Sequence, residues 1–240
     1  IHLLREFVGF LVTQAKGRNQ LGIKVRFVLA RVQITYRHSE RDLVGDVARE
    51  GPFKGVFERG EPFGHIGMID ALRELGIPVT VDEAGSVAEV TGCGGHIPAD
   101  GAELFCGNSG TTIRFCTALA ALSRGGRYRL DGIARMRRRP IGALTDALQS
   151  LGAGIEYEEE AGFPPLTVHA NGLRGGHVVF SSPASSQFVS GLLMAAPYAS
   201  SDVLIEVGKD APSVPFLSMT VRMMEQFGVP ILADGIDGRM

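Results

Sequence analysis

Thr145-Asp146-Ala147-Leu148-Gln149-Ser150-Leu151-Gly152-Ala153 is an amphipathic helical run that ends on a glycine, where the backbone must turn left-handed to leave the helix. Two other segments end the same way. They are Met68-Ile69-Asp70-Ala71-Leu72-Arg73-Glu74-Leu75-Gly76-Ile77 and Arg222-Met223-Met224-Glu225-Gln226-Phe227-Gly228-Val229. Each is followed by a β-prone stretch. Gly76, Gly152 and Gly228 stand 76 residues apart in both steps. A single ending of this kind is commonplace, but equal spacing twice over predicts a duplicated unit.

The same offset lays Ser109-Gly110 on Ser185-Ser186, and Ala118-Leu119-Ala120 on Met194-Ala195-Ala196. Each unit then holds a small polar turn, a small-residue helix, a strand, a second helix with its glycine stop, and further strands. The predicted strands include residues 127–130, 166–169, 177–180 and 203–207. A helix rich in Ala, Ser and Gly, such as residues 188–196, suits burial against other backbones. The predicted fold is therefore α/β with repeated units, its sheets outside and its helices packed inside. The last unit reads as cut off at Met240, before its closing strands.

Composition narrows the function. With 240 residues and 45% hydrophobic content, the chain can bury a substantial core. A net charge of −2 argues against general nucleic-acid binding. No apolar run reaches the roughly 18 residues of a membrane span. The three cysteines, Cys93, Cys106 and Cys116, form no metal-ligand spacing, and their odd number fits a reducing compartment. His38, His65, His169 and His177 show no metal spacing either. With no signal-peptide cleavage pattern in residues 1–15, a soluble cytoplasmic protein without metal is expected.

The chemistry gathers in Leu104-Phe105-Cys106-Gly107-Asn108-Ser109-Gly110-Thr111-Thr112-Ile113-Arg114. A strand end feeding a small-residue turn and then a helix start offers free backbone N–H groups to an anion. The hydroxyls and Arg114 add side-chain donors suited to phosphate or carboxylate. The stretch is neither a Walker loop nor a Rossmann turn. Between Arg114 and Arg139 lie eight arginines and one acid, Asp131, which suits a small anionic substrate. Arg135, Arg137 and Arg138 read as solvated, as does the acidic run Glu156, Glu158, Glu159 and Glu160. Arg114 reads equally as a ligand contact or as a tie from turn to sheet. Cys106 and Cys116 read as small core residues.

Three motifs in order carry a family resemblance: the run 104–114, then Arg135-Met136-Arg137-Arg138-Arg139-Pro140-Ile141-Gly142, then Ser185-Ser186-Gln187-Phe188. Over residues 66–233 the chain resembles 5-enolpyruvylshikimate-3-phosphate synthase. The resemblance implies an inside-out α/β barrel type of domain built from βαβαββ units, which agrees with the repeat. It implies transfer of the enolpyruvyl group from phosphoenolpyruvate to shikimate 3-phosphate, without a cofactor. It assigns Asn108, Gly110, Arg139 and Gln187 to phosphoenolpyruvate and to the inhibitor glyphosate. Ser185, Ser186, Gln187, Ser213, Arg41 and Phe216 would hold shikimate 3-phosphate. Arginine forks and N–H groups suit two polyanionic substrates, and Gly110 suits close approach of an anion.

The chain also departs from the family pattern. Where the family has a Gly-Ser-Lys-Ser-x-x-x-Arg turn, the lysine and serine positions hold Tyr36 and Arg37, and only Arg41 falls in place. Phe63-Gly64-His65 replaces an Asp-Asp-Thr turn. Residues 1–65 therefore read as a divergent segment, and residues 66–240 as the substrate-binding domain. The family's acid and base fall beyond Met240, so no catalytic residue is assigned here. Two other readings stay open: a domain that binds shikimate 3-phosphate without turnover, and an enolpyruvyl transferase acting on a nucleotide sugar. Ser185-Ser186-Gln187 and Arg139-Pro140-Ile141-Gly142 count against the latter.

Overall fold

Gly76 (φ +76°) and Gly152 (φ +105°) leave the right-handed path where the pattern puts the helix stops. Gly228 lies outside the residues this computed structural model describes, which are 32–35, 64–82, 87–208 and 214–227, with 229 and 231. Along the chain come β1 (Val32–Thr35), α1 (Gly64–Glu74), β2 (Val79–Asp82), β3 (Val87–Val90), β4 (Gly101–Phe105) and α2 (Gly110–Ala120). Next are β5 (Arg127–Asp131), a 3-10 turn (Met136–Arg138), α3 (Gly142–Ser150), β6 (Gly154–Tyr157) and β7 (Leu166–His169). Then follow β8 (Gly176–Phe180), α4 (Ser186–Ala195), a second 3-10 turn (Ala196–Tyr198), β9 (Val203–Val207) and α5 (Val214–Gln226).

The middle unit is a complete βαβαββ. Its sheet runs β4-β5-β7-β6, with β4 parallel to β5 and β7 antiparallel to both neighbours. The next unit opens in the same way, with β8 and β9 parallel, though its paired residues stand one residue further apart along the chain: Gly176 pairs with Val203 where Gly101 pairs with Arg127 in β4 and β5. The first sheet, β1-β3-β2, lays β1 against β3 as β5 lies against β7. Residues 32–35, within the segment read as divergent, thus add a strand to the first unit.

The layers agree with the sequence expectation. Every residue of α2 except Thr111 is buried, and so are eight of the ten in α4. These two small-residue helices pack on each other and on α3, while α1 covers α2 and α5 covers α4. Phe115, Ile113 and Leu119, each 1% exposed or less, sit in this helical interior, and each such burial stabilises by about 1.5–3 kcal/mol. In β4 only Leu104 is buried and β9 never buries a residue fully, whereas the central β7 buries Leu166, Thr167 and Val168 in succession. The helices lie inside and the sheets outside, as predicted.

Candidate anion-binding site

Two equivalent helix starts build the site. Ser109 caps α2, its hydroxyl accepting from Thr112 N at 3.2 Å, and Ser185 caps α4, accepting from Gln187 N at 3.3 Å. Both caps hold the extended backbone of an N-cap, and each hydroxyl satisfies one first-turn N–H. The strand ends of β4 and β5 aim the first turn, because Cys106 N donates to Asp131 O at 2.8 Å and Ile133 N to Gly107 O at 3.0 Å. Ser186 is buried beside its cap at 8% exposure.

Arg139 closes over the α2 start. It is extended before Pro140 (φ −98°, ψ 124°), as a pre-proline residue should be, and its Nη1 donates to Asn108 O at 2.9 Å. The guanidinium lies so close to Gly110 that an added Cβ would meet Cζ at 2.7 Å and Nη1 at 2.9 Å. The close approach expected for an anion is thus occupied by the arginine that would hold it. Burial and the charge of Arg135 lower the Arg139 pKa.

The turn that presents Arg139 is anchored by Asp131. Arg137 grips this buried carboxylate through Nε at 3.0 Å and Nη2 at 2.7 Å. Gly132 N donates to it at 2.7 Å, and Arg129 Nη2 adds a contact at 3.2 Å. Burial, the largest single effect, would raise the Asp131 pKa. The bonds from Arg137 and Gly132, with the charges of Arg137 and Arg129, outweigh it and hold the carboxyl below its ordinary value. Arg129 also takes Glu158 at 2.6 Å, and Arg137 takes Glu159 at 2.7 Å. Arg137, read as solvated, is partly exposed but also anchors the turn, held by Asp131 six residues earlier and by Glu159. The acidic run is exposed, as expected, and within it Glu158 pairs with Arg129 and Glu159 with Arg137. Arg135 and Arg138 are exposed, as expected.

Arg114 joins the two helix starts. Only 6% exposed, it donates to Gln187 Oε1 at 2.5 Å and to Pro140 O at 3.2 Å, and its guanidinium carbon stands 4.8 Å from the Phe188 ring centre. No carboxylate bonds to it among the described residues, and its Nε has no hydrogen-bond partner there. Burial and then the charge of Arg139 push its pKa down to about 10, so it is still protonated at neutral pH. Gln187 Nε2 donates in turn to Thr111 Oγ1 at 2.9 Å.

Of the residues singled out from sequence, Asn108, Gly110 and Arg139 touch one another. Ser185, Ser186 and Gln187 reach the same locality through Thr111 and Arg114. Phe216 does not join them by any described bond; it lies 48% exposed on α5, where its carbonyl accepts from Thr220. Arg41 and Ser213 lie outside the described residues. Thr111 was legible but unassigned, since the repeat offset sets it on Gln187. No group of three or more His, Cys, Asp or Glu is arranged to hold a metal ion among the described residues. Burial raises the Cys93 thiol to about 11 and the Cys116 thiol to about 12, and raises Cys106 as well, so none is a ready nucleophile. The cluster is a set of cationic and neutral donors, fitted to hold anions.

Comparison with known proteins agrees with this chemistry. Residues 66–240 match the family model for EPSP synthase (3-phosphoshikimate 1-carboxyvinyltransferase). A 3-phosphoshikimate 1-carboxyvinyltransferase of Marinomonas sp. (strain MWYL1) is 44% identical over 164 residues, which is 68% of this chain and 38% of that protein. One from Shewanella sp. (strain MR-7) is 45% identical over 166 residues, 69% of this chain and 39% of its own length. The chain therefore spans about two fifths of the curated relatives it matches. Among solved structures, EPSP synthase from Acinetobacter baumannii superposes with a TM-score of 0.60 at 25% identity, over 71% of this chain and 37% of that one. The enolpyruvyl transferase NikO from Streptomyces tendae superposes with a TM-score of 0.53 over 95% of this chain and 43% of its own, at 14% identity, a likeness of fold alone.

Proposed function

The chain belongs to the EPSP synthase family, and from that premise we propose that it supplies the substrate-binding part of a 3-phosphoshikimate 1-carboxyvinyltransferase. The substrates in this reading are phosphoenolpyruvate and shikimate 3-phosphate, with glyphosate as a competitor for the former. The bond from Gln187 to Thr111 carries the proposal, because it joins the two motif-bearing helix starts into one locality. Asn108, Gly110 and Arg139 would take the phosphoenolpyruvate anion. Ser185, Ser186 and Gln187 would take the shikimate phosphate, with Ser213, Arg41 and Phe216 completing that pocket. We assign residues 66–240 to this domain and residues 1–65 to a divergent segment, in a cytoplasmic protein. No helix among the described residues is long and apolar enough to cross a membrane.

The transfer puts charge on oxygens while a proton moves to and from the enolpyruvyl carbon. The donors of this site suit the charged oxygens, because paired N–H groups and guanidinium forks stabilise oxyanions without giving up protons. Arg114, Arg139 and Gln187 bond to no carboxylate side chain among the described residues, so proton transfer falls to other groups. This same feature favours, as a second reading, a domain that takes up shikimate 3-phosphate without turnover. A nucleotide-sugar substrate is the third, and competition by a UDP-sugar against shikimate 3-phosphate would revive it.

Phosphate release separates the first two. Residues 1–240 joined to the C-terminal half of the Marinomonas relative are expected to release phosphate from phosphoenolpyruvate only when shikimate 3-phosphate is present. A joined protein that folds and binds shikimate 3-phosphate yet releases none would leave only the binding domain.

A further inference from the structure

A glutamine amide has two chemically different ends, and coordinates alone seldom say which is which. Here the neighbour decides. Arg114 carries only N–H donors, so the end of Gln187 that faces it must be the oxygen. The NH2 end then points the other way, to Thr111 Oγ1 at 2.9 Å, at the first turn of the other helix. A reversed amide would set N–H against N–H inside a buried site. Arg114 is itself held on several sides, by Pro140 O, by the Phe188 ring and by the surrounding core. Pro140 follows Arg139 directly, so one guanidinium braces both the segment bearing Arg139 and the α4 start.

We infer that Arg114 is a positioning residue: by holding the Gln187 oxygen it presents the Gln187 NH2 group as a donor to Thr111 and to an anion bound between the two helix starts. The choice of partner supports this. A carboxylate at position 187 would neutralise the buried cation and favour stability. Glutamine leaves the positive charge uncancelled and keeps a donor free to serve the ligand. Arg114 Nε is buried and has no hydrogen-bond partner among the described residues, so part of the guanidinium's bonding capacity is unused in this arrangement. Only the identity of the ligand rests on the proposed function; the orientation of the amide does not.

The test uses the full chain. In nitrogen-15 spectra, the Gln187 side-chain NH2 pair is expected to be shifted and slow to exchange. It should move towards the position of exposed glutamines in Arg114→Met and partly return in Arg114→Lys. Titrated with shikimate 3-phosphate, Arg114→Met should bind about tenfold more weakly, the scale of one lost charge-assisted hydrogen bond. In a Gln187→Ala background the same change should cost less than about twofold, since the residue it acts through is gone. An unmoved NH2 pair, or a full tenfold loss in that background, overturns the assignment. If Arg114→Met does not fold, Gln187→Glu decides: unfolding at or above the wild-type temperature with affinity at least about tenfold weaker supports it, and unchanged affinity overturns it. If the wild-type chain ignores shikimate 3-phosphate, the proposed function fails, while the amide spectra still decide the role of Arg114.

Discussion

Gln187 and Thr111 lie 76 residues apart, one period of the repeat, and Gln187 Nε2 donates to Thr111 Oγ1 at 2.9 Å. Equivalent positions of two successive units therefore meet each other. Duplication has placed two capped helix starts side by side, an arrangement whose dipoles favour an anion. Arg114 and Arg139 add two cations to the same place, and the charge of Arg139 is already felt in the lowered pKa of Arg114. Two neighbouring cations without a carboxylate between them are a standing cost to the folded chain, and a bound anion relieves it.

Asp131 is expected to make the chain sensitive to acid. Its folded pKa lies below its unfolded value, so its contribution is fully present above the unfolded pKa of about 4 and fades as pH falls through the folded one. Asp131→Asn should lower stability at neutral pH by about 2–3 kcal/mol, leaving Arg137 and Arg129 without their charged acceptor. The gap to wild type should shrink below pH 4. Urea unfolding at pH 7 and at low pH checks both statements, and a gap that widens in acid contradicts them.

Gly152→Ala should destabilise by about 1–2 kcal/mol, because φ +105° is costly for any residue with a Cβ. The new methyl would also press on the Arg174 side chain, 3.1 Å from Nε. Denaturant midpoints at an unchanged m-value measure the loss. A neutral substitution would mean that this stop is not the left-handed one described.

Gly110→Ala separates binding from stability. The added Cβ would collide with the Arg139 guanidinium, and the flexible side chain would move away rather than the backbone. The bond from Arg139 to Asn108 O is then lost, while alanine in the first helical turn favours the helix. Affinity for phosphoenolpyruvate, measured with shikimate 3-phosphate present, should fall about tenfold. The unfolding midpoint should not drop. Unchanged affinity would detach Arg139 from that substrate.

Much of this was written in the sequence because it depends on local rules. Glycine stops, small-residue helices and serine caps each follow from backbone sterics or from a single hydrogen bond, and their 76-residue recurrence exposed the unit. The resemblance of three motifs then pointed to the candidate site. What stayed hidden depends on contacts between distant segments. Arg137 looked only solvated because Glu159 meets it once β5 and the β6–β7 connection are side by side, and because no local pattern shows the turn folding it back onto Asp131, six residues earlier. Arg114 was ambiguous for a similar reason: no local pattern tells that its charge is buried against an amide 73 residues away.

Calorimetric titration of the 240-residue chain with shikimate 3-phosphate tests the central claim most directly. Saturable binding of one equivalent is expected, weakening as salt rises and lost when Ser185 and Ser186 are both changed to alanine in a chain that still folds. Heat that never saturates, or binding that the two serines do not affect, would contradict a shikimate 3-phosphate site at the start of α4.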